Sequence, residues 1–251
     1  MSPIIKLRRC DISLCVNLTP RRSYRGLPHA PGHSTDQRHL STTHTLDNIA
    51  MQQSNFLGEF FKTHRCSENT IKFFSSIPWT REILQNENYR TVPLFSRYLN
   101  ETTGENRFFA KSVNSHETIP HLLALKTIEQ RGPEETSSYP LIFLISLRQG
   151  LDSHPSIVHG GFQGVILDEV ARNMILMHHD ATCDPGPRDT HFTASMTISY
   201  VVPVTTPGVY LVRSQLTRRE GRKWYTKAEI VDSSDKVLTN AESFWVTAKR
   251  C

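Results

Sequence analysis

The sequence predicts an α+β fold, with one long helix packed on an antiparallel β-sheet of about five to six strands and an amino-terminal helical extension ahead of both. Three observations predict it. YPLIFLISLRQ (139–149), rich in branched and aromatic residues, reads as a strand. HGGFQGVILDEVARNMILMHHD (159–180) is a long apolar run that reads as a helix over about 160–179. Four strand-like runs then follow in close succession, separated by the turn sequences TTPG (205–208), EGR (220–222) and DSSDK (232–236).

Taken in order, residues 1–46 come first. They hold seven basic residues (Lys6, Arg8, Arg9, Arg21, Arg22, Arg25 and Arg38) against Asp11 and Asp36. This leader carries the whole formal net charge of +5, so the remaining chain is balanced and has no overall basic bias towards nucleic acid. Arg-rich, Ser-rich and acid-poor is the composition of a mitochondrial transit peptide. Pro3, Pro20, Pro28 and Pro31 oppose an amphipathic helix there, and the alternative is a disordered basic tail on a cytoplasmic protein.

Residues 47–138 form the extension, expected to be mainly helical. LDNIAMQQSNFLGEFFK (46–62) has apolar residues at helical spacing. SENTIKFFSSIPWTREILQN (67–86) is split by Pro78, with a short helix after the break. NRFFAKSV (106–113) reads as a strand and TIPHLLALKTIEQ (118–130) as a helix. The aromatic content of the extension suits packing onto the sheet or covering an apolar tunnel. RGPEETSS (131–138) is the domain boundary, and 139–251 is the second domain.

In that domain the strands are 139–149, 191–204, 208–220, 222–232 and 236–249, and the short connections predict antiparallel sequence neighbours. In the 191–204 strand, Ala194, Met196, Ile198 and Tyr200 are expected on one face, with Thr193, Ser195, Thr197 and Ser199 on the other. The five cysteines are scattered, with no CxxC pair and no zinc-like spacing, which argues for a reducing compartment. No apolar run approaches the roughly 20 residues of a membrane span.

The chemistry concentrates at the start of the long helix. The first turn of a helix has unpaired backbone N–H groups and a positive dipole end. His159-Gly160-Gly161 there is a candidate oxyanion hole, because glycine lets a ligand approach the amides closely. A tight turn with a buried, hydrogen-bonded histidine is the plainer alternative. Asp168 lies seven residues beyond Gly161 on nearly the same helix face, roughly 10 Å away along the axis. A general base needs hydrogen-bond reach, so the two groups serve one substrate only if they come from different subunits. Glu169 is the rival base, and Arg172, four residues from Asp168, offers it an ordinary ion pair. A helical wheel puts Asp168, Glu169, Arg172 and Asn173 in one sector with Phe162, Val165 and Leu176, which suits a half-wet interface better than open solvent.

HGG, the acid seven residues on, TASMTISYVVPV and EGRKWYTKAEIVDSSDKVLTNAESFWV together resemble the hotdog-fold acyl-CoA thioesterases over about 139–248. The resemblance is to the phenylacetyl-CoA-type branch, and within it to mitochondrial enzymes with an added amino-terminal region. It implies hydrolysis of an acyl thioester to free acid and CoA without a cofactor or metal, in dimers that often assemble into tetramers. It also implies roles: Gly160 or Gly161 polarises the carbonyl, Asp168 of the other subunit acts as base or nucleophile, and His159 shapes the turn. Thr193 matches a hydroxyl that assists water in relatives. Some relatives carry an asparagine a few residues before the histidine, where this chain has Asp152, Ser153 and His154. Arg218, Arg219, Arg222 and Lys223 cluster at a hairpin that would meet CoA phosphates, or else form a solvated turn. Two other readings remain: release of an acyl chain from a carrier protein, and a non-catalytic hotdog assembly or partner-binding module.

Overall fold

The computed structural model describes residues 56–127, 141–182 and 189–248. All of them fall within one compact unit, Thr43–Cys251. The leader 1–46, the connection 131–138 and the first residues of the 46–62 helix lie outside the described residues.

The extension opens with three short helices, α1 (Phe56–Thr63), α2 (Glu68–Ser75) and α3 (Pro78–Gln85). The split at Pro78 is as expected: proline takes the first helical position, where its missing N–H costs nothing. Strands β1 (Tyr89–Val92) and β2 (Leu122–Thr127) follow, then β3 (Leu141–Leu147), the short β4 (Asp152–His154) and β5 (Ile157–Val158), and the long helix α4 (Gly160–Thr182). Strands β6 (His191–Tyr200), β7 (Gly208–Glu220), β8 (Lys223–Val231) and β9 (Val237–Thr247) complete the chain.

Seven strands form one sheet in the order β1-β2-β3-β7-β8-β9-β6, with every pair antiparallel. Helix α4 lies against it, the hotdog arrangement that the sequence predicted. The strand count exceeds the expected five to six because 89–92 and 122–127 join the edge beside β3. LLALKT, expected to be helical, is a strand. Its Leu and Ala favour helix intrinsically, but pairing on both sides between β1 and β3 overrides that preference. The expected 106–113 strand is instead a π-helical turn, Phe108–Ser112, entered through Asn106 at φ 66°.

Strand β3 is buried along its whole length because both sheet faces are covered there. On one face, Phe143 and Ile145 meet the α4 core. On the other, Ile142 and Leu144 join Leu123, Leu125 and Phe74, with Phe73 and Trp79 packed against them from α2 and α3. Phe60 of α1, Phe95 and Leu176 of α4 make a third cluster. The extension's aromatics therefore pack on both sides of the sheet. Trp224 and Trp245 are fully buried, and each keeps its indole N–H satisfied, on Thr247 Oγ1 at 2.9 Å and Ser243 Oγ at 2.8 Å.

Strand β6 does not pair with its sequence neighbour β7. It lies at the far edge beside β9. Three strand spacings of about 4.8 Å separate β6 from β7. The connection 201–207 is long enough to cross them, since each residue spans up to about 3.5 Å. Pro203 and Pro207 in it also suit a crossing better than a tight hairpin.

Candidate active site

The hairpin of β4 and β5 delivers the chain to the start of α4. Asp152 fixes that hairpin: Thr206 Oγ1 donates to its Oδ1 at 2.6 Å and the Ser156 N–H to its Oδ2 at 3.1 Å. Asp152 thus ties the approach to α4 to the chain around Thr206.

His159 is exposed, not buried, and it caps α4 with its own ring. The Gly161 N–H donates to His159 Nδ1 at 2.9 Å, while the Phe162 and Gln163 amides reach the His159 carbonyl at 2.9 and 3.1 Å. This leaves the Gly160 amide at the helix start with no acceptor among the described residues. Gly160 is half-buried beside Tyr200. The Tyr200 hydroxyl donates to its carbonyl at 2.9 Å, and a Cβ there would sit 3.4 Å from the Tyr200 ring. A Cβ on Gly161 would come within 3.2 Å of the His159 ring.

Two turns along α4, Asp168 is half-buried and accepts a hydrogen bond from Thr193 Oγ1 at 2.7 Å. Burial raises its carboxyl above the ordinary range, while the Thr193 bond and the charge of Arg172 pull the other way. The pairing depends on an irregularity in β6. Thr193 is opposite Trp245, and Ser195 is opposite Phe244, so Ala194 is an extra residue. This bulge puts Thr193 on the same face as Met196 and Ile198, towards α4. Strict alternation had placed it on the other face.

Glu169 is buried and occupied: Asn173 Nδ2 donates to its Oε1, and Arg172 Nη1 stands 3.9 Å away. Burial pushes this carboxyl upward as well. Arg172 does not reach Asp168 within ion-pair distance. It turns to Glu169 and to Glu105 of the extension, at 3.6 Å. The polar sector of α4 is therefore neither open solvent nor a simple ion-pair stripe, because the segment around 95–109 stands over it. Between them is a cleft of about 580 Å³, bordered by Ser96, Glu105, Asn106, Phe108, Phe109, Gly164, Val165, Asp168, Glu169, Arg172, Met196 and Ile198. The extension residues and Tyr200 were not singled out from sequence. The only signal available for Phe108 and Phe109 was an aromatic pair inside a stretch that read as a strand.

Asp168 and Thr193 are thus brought together in one chain, and His159, Gly160 and Gly161 meet at the helix start, roughly 10 Å along the axis from Asp168. The basic hairpin lies elsewhere. Arg219 stacks over the Trp224 ring at 4.2 Å, and that ring packs near His178 and His179 at the carboxy-terminal end of α4. Arg218 covers the Tyr225 ring at 3.9 Å and pairs with Glu220 at 2.9 Å, while Arg222 donates to the Thr247 carbonyl at 2.7 Å. Lys223 is exposed. In one chain these groups are about 25 Å of helix away from Gly160. No group of three or more His, Cys, Asp or Glu side chains among the described residues is placed to hold a metal ion, and no described helix is long and apolar enough to cross a membrane.

Residues 156–239 match the family model of the thioesterase superfamily. Verlamelin biosynthesis protein B of a Lecanicillium species is 21% identical over 206 residues, covering 71% of this chain and 88% of that protein. Among solved structures, a putative thioesterase from Ralstonia eutropha, described as phenylacetic acid degradation-related, is 21% identical. The likeness covers 42% of this chain and 74% of that one, with a TM-score of 0.37. A hypothetical thioesterase from Streptococcus pneumoniae, solved with coenzyme A, is 10% identical, over 44% of this chain and 79% of that one, with a TM-score of 0.37.

Proposed function

We propose, starting from the thioesterase-superfamily match of residues 156–239, that this protein hydrolyses an acyl-CoA thioester to the free acid and CoA. The observation that carries the reading is the Thr193–Asp168 hydrogen bond inside the matched segment, with Asp168 lining the cleft. Asp168 accepts a proton from water as the water attacks the thioester carbonyl. The Thr193 hydroxyl orients the carboxylate, and its own lone pairs remain available to the same water. A carboxylate raised by burial is a better base at neutral pH than a free one.

The carbonyl oxygen becomes negative in the tetrahedral intermediate, and the amides at a helix start stabilise that charge. Gly160 supplies one donor, and Gly161 supplies another once the His159 ring turns from it. Asp168 cannot serve the amides of its own helix at roughly 10 Å, so each site combines the helix start of one protomer with Asp168 of the other. A homodimer is the smallest active assembly on this reading, and a tetramer is compatible with it. Collapse of the intermediate expels the thiolate of CoA, which takes up the proton held by Asp168. Arg218, Arg219, Arg222 and Lys223 are proposed contacts for CoA phosphates from the outer end of the molecule.

A second reading keeps the chemistry and changes the carrier: the acyl group is released from a carrier protein. The likeness to a protein named for biosynthesis favours testing it. Thiol release from acyl-CoAs and from acylated carrier protein, measured side by side with wild type and Asp168→Asn, separates the two. Full activity in Asp168→Asn sinks the assignment of the base. Residues 1–46 are proposed as a mitochondrial import signal, tested by fusing them to a fluorescent protein; diffuse cytoplasmic fluorescence refutes it.

A further inference from the structure

One wall of the cleft beside Asp168 comes from outside the 156–239 match. It is the segment 95–113, and it is tied down firmly. The Arg97 guanidinium donates to the Phe109 carbonyl at 3.0 Å and the Ile119 carbonyl at 2.8 Å. The Asn106 side-chain amide donates to the carbonyls of Phe95 and Tyr98, both at 3.1 Å. These bonds hold the π-helical turn 108–112, a geometry that recurs at functional sites. The turn buries Phe109 and leaves Phe108 47% exposed.

Phe108 borders the same cleft as an apolar floor of Val165, Met196 and Ile198. Gly164 keeps that floor low, since a Cβ there would meet Ile198 Cδ1 at 2.7 Å. The cleft is also bordered by the Arg172–Glu105 pair at 3.6 Å. An apolar chain leaving a carbonyl at Asp168 lowers its free energy by covering Phe108 and this floor, not by covering the ion pair. The volume, about 580 Å³, lies within the range of small-molecule sites.

We infer that Phe108 is a specificity-determining residue that packs on the acyl chain and makes the site prefer longer chains over short ones. The catalytic part of this inference rests on the thioesterase reading; the binding part does not. The experiment has two arms. In the first, kcat/KM is measured for acetyl- to palmitoyl-CoA in wild type, Phe108→Ala and Gly164→Ala. The ratio for decanoyl-CoA over acetyl-CoA falls about tenfold in Phe108→Ala, the scale set by lost apolar contact in a pocket. Gly164→Ala lowers the same ratio by pushing Ile198 into the cleft.

In the second arm, 1-decanol and 1-butanol binding are measured by calorimetry. Alcohols are used because Asp168 and Glu169 repel a carboxylate. Decanol binds more tightly than butanol, and Phe108→Ala removes most of that difference. If no thioester turns over but decanol binding still depends on Phe108, the hydrolase reading fails and the cleft assignment stands. If acyl-CoAs turn over and neither the ratio nor decanol binding responds to Phe108→Ala, the cleft assignment falls alone.

Discussion

The proposed composite sites make a prediction that single substitutions cannot test. Asp168→Asn removes the base but leaves an oxygen to accept the Thr193 hydroxyl, so the local geometry survives. Gly161→Val damages the helix start instead. Its Cβ comes within 3.2 Å of the His159 ring, which must leave its place on the amide, and its branches block approach of a carbonyl. Each homodimer should lose on the order of 10²–10⁴ in turnover, the usual contribution of a general base or an oxyanion donor. A hybrid dimer, co-expressed with two different tags and purified through both, contains one site with an intact Asp168 facing an intact helix start. Its other site carries both lesions. The hybrid should therefore recover about half the wild-type turnover in a thiol-release assay, because a two-fold dimer exchanges equivalent surfaces. If Asp168 and Gly161 served one substrate within one chain, the hybrid would contain no intact site. Turnover equal to the mean of the two parents would refute the composite site.

Further outcomes follow from particular contacts. With Asp168 as the proposed base, kcat/KM should fall as pH drops through its folded pKa. Burial has raised that pKa, so the acid limb lies above the range of a free aspartate. Thr193→Val removes a bond that favours the ionised form, so the acid limb should move further up in a pH–rate profile; a downward move contradicts the assigned pairing. Deleting Ala194 removes the β6 bulge but leaves Thr193 opposite Trp245 on the face of Met196 and Ile198, so the Thr193–Asp168 pair and turnover should survive it, whereas Thr193→Val should lose turnover. Trp224→Ala should cost about 3–5 kcal/mol in denaturant unfolding, from an emptied core site beneath α4. Arg97→Met leaves the Phe109 and Ile119 carbonyls without their donor and should cost about 1–3 kcal/mol per orphaned group, read as a lower Tm.

The elements with strong local signals were legible in the sequence. Helix α4 announced itself by length and apolar spacing, and β7, β8 and β9 by turn residues between branched runs. α3 was marked by Pro78, whose ring fixes a helix start whatever surrounds it. The HGG turn and Asp168 were legible for the same reason, since their separation is set by helix rise alone. Elements chosen by their neighbours were not. LLALKT becomes a strand only because β1 and β3 flank it, and its composition has no way to register that. β6 pairs with β9 because its connection is long enough to cross the sheet, a freedom that a turn motif does not reveal.

The sequence by itself determined the long helix, the carboxylate two turns in, and the roughly 10 Å between that carboxylate and the helix start. Helix geometry is local, so these followed from spacing. Tertiary structure decided which hydroxyl meets Asp168, because one extra residue in β6 sets the face of Thr193. It also decided that Arg172 turns to Glu105 and Glu169 instead of Asp168, and that an aromatic turn from the extension walls the cleft. Glu105 is 67 positions from Arg172 in the chain, and contacts at that separation are fixed by packing, which no local pattern of residues encodes.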